Sequence, residues 1–210
     1  MIAFEAVSRV EKTGRDFVVY TDERELPCHS VILATGAKNR PLGLEREMEL
    51  IGAGVSYCAT CDGAFFRNQV TAVVGGGSTA LEDAEFLSSY CSKVYLIHRR
   101  DAFRGEQWLL ENLRKKENVE FVLNSVVTEI LGENGVEGIR VKDKVTGEER
   151  KLEINGLFVA IGQMPDNHAF EALVELDESG YIRALEDCKT SEPGIFAAGD
   201  CRTKTVRQLT

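Results

Sequence analysis

Two short stretches of this chain carry residue types and spacings that can do chemistry. Cys58-Ala59-Thr60-Cys61-Asp62 sets two thiols three positions apart with a carboxylate beside the second. Shortly after it, the apolar run Val70-Thr71-Ala72-Val73-Val74 opens into Gly75-Gly76-Gly77-Ser78-Thr79-Ala80. Thiols so spaced can cycle between dithiol and disulfide, and a glycine turn between a strand and a helix can seat the pyrophosphate of a dinucleotide. Side by side they imply a site that passes electrons between a nicotinamide and a disulfide. Neither stretch carries that reading alone.

The elements that must position these residues are legible from periodicity. Residues 70–74 form a continuous apolar run suited to a strand covered on both faces, and Ala80, Leu81, Ala84, Phe86 and Leu87 give the next segment the apolar stripe of a helix. Residues 94–97 make a second strand, so 70–97 has the size of a βαβ crossover. A further helix is expected at about 105–117, a strand at 119–122, and the start of an antiparallel meander at 126–131. Residues 24–36 align with 150–162, with Arg, Leu, Ala and Gly coinciding at 24/150, 26/152, 34/160 and 36/162. Each copy follows an alternating segment, at 17–20 and 139–142, and reads as a small meander feeding a buried strand that ends at glycine. Chance similarity of two amphipathic strands is the plain alternative.

Within the glycine turn, Gly75-x-Gly77-x-x-Ala80 fits the dinucleotide fingerprint with alanine at its third position. Gly75 permits the tight turn, Gly77 lets backbone approach phosphate without a Cβ, and Ala80 lets helix pack close to strand. The helix that follows presents free N–H groups and a positive dipole end to an anion. After the second strand comes His98-Arg99-Arg100, with Arg104 close by, where an NAD site would carry a carboxylate. Guanidinium groups there can grip a 2′-phosphate, which points to NADPH. Arginines on a solvated rim are the bland reading.

Composition bounds what else the chain can do. It has 210 residues, 43% of them hydrophobic, enough for one good core or two small ones, and a net charge of −9. That charge disfavours a nucleic-acid partner and requires any anion site to be a local basic cluster. No apolar stretch is long enough to span a membrane and no export signal opens the chain, so a cytoplasmic protein is expected. The six cysteines, at 28, 58, 61, 91, 188 and 201, show no disulfide framework, and Cys28 and Cys91 read as packing residues. His29, His98 and His168 are scattered, so Cys58 and Cys61 lack the second ligand pair that zinc would need, and no metal is expected.

In combination the motifs closely resemble those of the low-molecular-weight thioredoxin reductases of bacteria and archaea. The matching residues are Ala34-Thr35-Gly36-Ala37, the Cys58–Gly63 stretch, Gly75 to Ala80, His98-Arg99-Arg100-Asp101-Ala102-Phe103-Arg104, Ala160-Ile161-Gly162, and Gly194-Ile195-Phe196-Ala197-Ala198-Gly199-Asp200 with Arg207-Gln208. They run in family order over almost the whole chain. The resemblance implies an α/β protein with Rossmann-like FAD- and NAD(P)-binding folds, three-layered, each built on a central parallel sheet and a β-meander. It implies electron flow from NADPH to FAD, to a Cys58/Cys61 disulfide, and on to thioredoxin or a thioredoxin-like protein. Cys61 would then face the flavin, Cys58 would attack the protein substrate, and Asp62 would protonate the leaving thiolate, although Asp62 also suits an ordinary turn. Ile161 and Gly162 would join the NADPH site. Gly36, Gly199, Asp200, Arg207 and Gln208 would belong to the FAD site.

One departure from the family pattern bears on that site. An FAD-binding glycine turn should precede Gly36, and the internal repeat puts it roughly 50 residues ahead of Met1. The expectation is a chain truncated at both ends: a partial FAD domain at 1–37, a complete NADPH domain at 38–165, and a second FAD remnant at 166–210 lacking the C-terminal helix. Such a chain should bind NADPH with its FAD site incomplete, and the full-length form would be a possible homodimer. A peroxiredoxin-reductase flavin module and a non-catalytic NADPH-binding module are the alternatives.

Overall fold

The first strands follow from alternation: Phe17 and Val19 point one way along their strand while Asp16, Val18 and Tyr20 point the other. The computed structural model describes residues 4–204. β1 (Val7–Thr13), β2 (Asp16–Thr21) and β3 (Glu25–Cys28) form an antiparallel meander, and β4 (Val31–Leu33) leads to β5 (Ala37–Asn39). Then come β6 (Val55–Ser56), the one-turn α1 (Ala59–Asp62), β7 (Val70–Gly75), α2 (Ser78–Ser88), β8 (Lys93–Ile97), α3 (Gln107–Leu113) and β9 (Val119–Val122). A second meander, β10 (Ser125–Leu131), β11 (Gly138–Asp143) and β12 (Glu149–Leu152), feeds β13 (Gly156–Ala160). β14 (Gln163–Pro165) and β15 (Ile195–Ala197) complete the strands.

Two compact units result, one built from residues up to Lys38 with those from Gln163 onward, the other from Asn39–Gly162. The division falls just inside the expected 38–165 because residues 163–165 form β14, which pairs with β5. In the 39–162 unit a five-stranded sheet runs in the order β6-β13-β7-β8-β9, every pair parallel. Side chains alternate across it. Ala72, Val74, Leu157 and Val159 pack with Val127, Ile139 and Leu152 of the second meander, while Val73, Val94, Leu96 and Phe158 pack with Ala80, Leu81, Leu87 and Leu113 of the two helices. β7 is buried along nearly its whole length, Thr71 included, because both its faces are covered. Each fully buried leucine in these layers contributes about 1.5–3 kcal/mol.

The repeat seen in the sequence has a structural counterpart. Each meander hands over to a strand of a parallel pair or sheet, β4 beside β15 in one unit and β13 in the other. Cys91 is buried against the helices and Cys28 packs at the edge of the core around Phe17, as expected of packing residues. α3 is shorter than the expected 105–117. Glu106 has non-helical backbone, Gly105 lies against Ser78 N and Leu81, and past Leu113 the chain tightens into i→i+3 bonds at Lys115 and Lys116.

One side chain on α2 works against the fold. Burial, with a smaller push from Glu82, raises the Asp83 carboxyl from its ordinary 3.8 to about 6. The fold therefore favours the protonated form, and that contribution is complete below pH 3.8 and lost as pH rises through 6. Discounting for its partial exposure, Asp83→Asn is expected to stabilise the chain by about 1–2 kcal/mol at pH 7 and by little near pH 4. Urea unfolding at both pH values checks this, and an equal gain at both would count against burial as the cause.

Candidate functional site

β7 and α2 meet at Gly75-Gly76-Gly77, and each glycine has its own reason. A Cβ on Gly75 would lie 2.3 Å from the Ala160 carbonyl oxygen and 2.6 Å from Ala80 Cβ, so glycine here and alanine at 80 let α2 close on the sheet. Gly75 is needed for close approach, since its φ is not positive. A Cβ on Gly76 would fall 2.0 Å from the His98 ring. At Gly77 nothing lies within 4 Å of where a Cβ would stand. That open side faces a cleft and is the space a pyrophosphate would take. Gly77 caps α2 with no side-chain bond, leaving first-turn N–H groups of an 11-residue helix to meet an anion.

The cleft, about 440 Å³, is lined by Gly75, Gly76, Gly77, Thr79, His98, Arg99, Arg104, Ile161 and Gly162 from among the expected residues. Ala80 is buried behind the turn, and neither Ser78 nor Arg100 lines the cleft. Arg100 instead faces solvent, with its carbonyl accepting from Asn124 N. Arg104 N–H donates to the Gly76 carbonyl at 2.8 Å, which ties the basic loop to the glycine turn. His98 stacks on Phe103 with ring centres 5.0 Å apart and donates from Nε2 to the Ala102 carbonyl at 3.1 Å. Burial holds its imidazole below the usual range against the opposing pull of that bond, and Arg100, Arg104 and Arg99 push the same way as burial. His98 is thus a neutral wall of the cleft, and the arginines carry its charge.

Arg40, Leu42, Ser125, Val126 and Val127 also line the cleft, and sequence reasoning missed them. They arrive from the 39–44 segment and the start of β10, far from the glycine turn in sequence, so no local signal marks them. Arg40 N–H donates to Gly162 O at 3.0 Å. Among the described residues, no acidic residue lines the cleft, and Arg40, Arg99 and Arg104 make no ion pair. In a chain of net charge −9, three unpaired guanidiniums around a free helix N-terminus fit an anionic dinucleotide.

Cys58 and Cys61 form a disulfide, with their Cα atoms 5.3 Å apart across α1. Cys58 caps that turn. Its Sγ accepts from Cys61 N–H at 3.2 Å and from the Thr60 hydroxyl at 3.4 Å. Cys61 is exposed and Cys58 half-buried. The Asp62 Oδ2 accepts from the Ser56 hydroxyl at 2.6 Å. The Tyr57 hydroxyl donates to Glu47 Oε1 at 2.8 Å, and burial followed by that bond raises the phenol well above its usual range. Glu47 is itself almost fully buried and accepts from the N–H groups of Leu42, Gly43 and Leu44.

In the other unit β4 and β15 pair in parallel, Leu33 opposite Ala197. Gly36 and Gly199 follow the two strands with φ of +70° and +75°, backbone that only glycine adopts freely, and both are open where a side chain would be. Asp200 forms an ion pair with Lys204 at 2.6 Å. Arg207 and Gln208 lie outside the described residues.

The family model for pyridine nucleotide-disulphide oxidoreductases matches residues 2–210. The chain is 45% identical over 208 residues to a thioredoxin reductase of Mycolicibacterium smegmatis, covering 99% of this chain and 67% of that protein. A thioredoxin reductase of Listeria innocua is 43% identical over 198 residues, 93% of this chain and 62% of the relative. Among solved structures, the thioredoxin reductase from Streptococcus pyogenes MGAS5005 superposes with a TM-score of 0.84 at 38% identity, covering 97% of this chain and 67% of that one. The chain thus spans about two thirds of the length of the relatives it matches. A parallel sheet with its glycine turn, a basic cleft and a Cys58–Cys61 disulfide, in a chain alike over nearly its whole length to these proteins, make it a member of the pyridine nucleotide-disulphide oxidoreductase family, among the thioredoxin reductases.

Proposed function

We propose that this chain is the NADPH-binding and disulfide-bearing part of a thioredoxin-disulfide reductase, flanked by segments of its FAD-binding domain. The observation that carries the reading is the cleft beside Gly77, walled by unpaired arginines, in the same compact unit as the Cys58–Cys61 disulfide. Arg99 and Arg104 would hold the 2′-phosphate, the α2 N-terminus the pyrophosphate, and Ile161 and Gly162 the far wall. Gly36, Gly199 and Asp200 would contact FAD, with Arg207 and Gln208 following. When bound, these groups supply a hydride from the nicotinamide and, through the flavin, the two electrons that reduce the disulfide.

The chain's own chemistry is thiol exchange. In the dithiol form the Cys58 thiolate attacks one sulfur of a substrate disulfide, and the other substrate sulfur leaves as a thiolate that takes a proton from Asp62. Cys61 then gives its proton to Asp62 and attacks the Cys58 sulfur of the mixed disulfide, forming the Cys58–Cys61 disulfide. The second substrate sulfur leaves as a thiolate and takes that proton from Asp62, so the substrate departs with two thiols and Asp62 is left as carboxylate. Thioredoxin or a thioredoxin-like protein is the proposed substrate. The four other cysteines are free thiols, which suits a reducing compartment such as the cytoplasm.

The reading predicts that this chain binds NADPH in a 1:1 complex detectable by calorimetry. A longer chain carrying the FAD-binding glycine turn should add NADPH-dependent reduction of a thioredoxin disulfide. No NADPH binding by the chain, or a longer chain that binds both cofactors and leaves thioredoxin oxidised, would overturn it.

A further inference from the structure

Asp62 sits at the end of a one-turn helix, a poor platform for a proton donor, since so short a helix gains little from its own hydrogen bonds. What holds it is Ser56. The Ser56 hydroxyl stands 2.6 Å from Asp62 Oδ2 and also accepts from Cys58 N–H at 3.1 Å. A hydroxyl has one proton, and two oxygens compete for it: Asp62 Oδ2, and the Cys58 carbonyl at 3.3 Å. The shorter contact to a carboxylate is the stronger acceptor, so the proton goes to Asp62.

Ser56 is itself only 3% exposed and belongs to a rigid element. It closes β6, registered opposite Phe158 of the central sheet, and the next residue is pinned by the Tyr57–Glu47 bond. A serine accepting the N–H two residues on is a common local turn and by itself means nothing. The second bond, made across the turn to the carboxylate, is what a local turn does not need.

We infer that Ser56 is a positioning residue that fixes Asp62 and the Cys58 backbone in one arrangement, anchoring the proton donor to the central sheet. This rests on the reading of Asp62 as the acid that protonates a departing thiolate. The same acid should serve when a small dithiol opens the Cys58–Cys61 disulfide. The dithiol thiolate attacks one sulfur, the other leaves and is protonated by Asp62, and the second dithiol sulfur closes its own ring, releasing two protein thiols.

The test uses this chain and dithiothreitol, following disulfide loss by alkylation and mass at pH 5.5 to 8.5, with each rate divided by the dithiothreitol thiolate fraction. In the unaltered chain the normalised rate should rise toward acid pH. Ser56→Ala should lower it about tenfold at the acid end and flatten the profile, a part of the range that general acid catalysis spans. Asp62→Asn should flatten it too, the double variant should be no slower than Asp62→Asn alone, and Ser56→Thr, which keeps the hydroxyl, should restore the rise. If Ser56→Ala keeps the acid-side rise while Asp62→Asn loses it, Ser56 does not position the acid and the inference fails alone. If Asp62→Asn keeps the rise, the acid reading fails and takes the inference with it. Additive losses in the double variant would also overturn it.

Discussion

Replacing Arg99 and Arg104 together with alanine is expected to weaken NADPH binding to this chain by about two to four orders of magnitude, since each charge-assisted bond to phosphate contributes about 1.5–3 kcal/mol. NADH, lacking the 2′-phosphate, should bind the variant about as it binds the unaltered chain. The two side chains line the same cleft, and Arg104 is held there by its backbone bond to Gly76, so removing both strips the cation from one wall without touching the glycine turn. Arg100→Ala is the internal control, because that side chain does not line the cleft and its loss should cost little. Calorimetry with both coenzymes decides the matter. A parallel loss for NADPH and NADH would remove the 2′-phosphate assignment.

Cys58→Ser, in a longer chain able to bind both cofactors, is expected to reduce NADPH-dependent reduction of thioredoxin to background. Transfer from NADPH to a small artificial electron acceptor should continue. The reasoning is stoichiometric, since one remaining thiol cannot carry two electrons as a disulfide and cannot resolve a mixed disulfide. The variant should also leave Cys61 as an exposed free thiol that a maleimide labels, where the oxidised parent offers none at that position. Retained thioredoxin reduction would mean that the pair is structural.

The strand-turn-helix of β7 and α2 was readable because its signals are local: an apolar run, small residues at three fixed positions, and a stripe at helical spacing. Gly77 was readable for the same reason. The weight carried by Gly76 was not, since it depends on His98, a residue beyond α2 and β8 in sequence that folds back over the turn. The basic trio was legible as composition, but which two arginines face the cleft depends on the loop from Ile97 to Gly105, whose path is set by Phe103 packing on His98 and Phe121 and by Gly105 lying against Leu81. Arg40, the Ser125–Val127 stretch and Ser56 gave no signal at all. Each is an ordinary residue made important by what the sheet brings beside it. The helix expected at 105–117 is shorter because helix-favouring residues flank a core segment whose ends are fixed by Gly105 and by the turn at 115–116 rather than by propensity.

The Arg40–Gly162 hydrogen bond joins the second residue of the 39–162 unit to its last. A segment that begins and finishes at one doorway closes its loop locally, so inserting it costs the host chain little more entropy than a short turn would. It behaves as a cassette. Such a cassette can be lengthened, exchanged for another or moved into a different host without rerouting any of the strands outside it, which leaves evolution and the protein engineer the same single splice point.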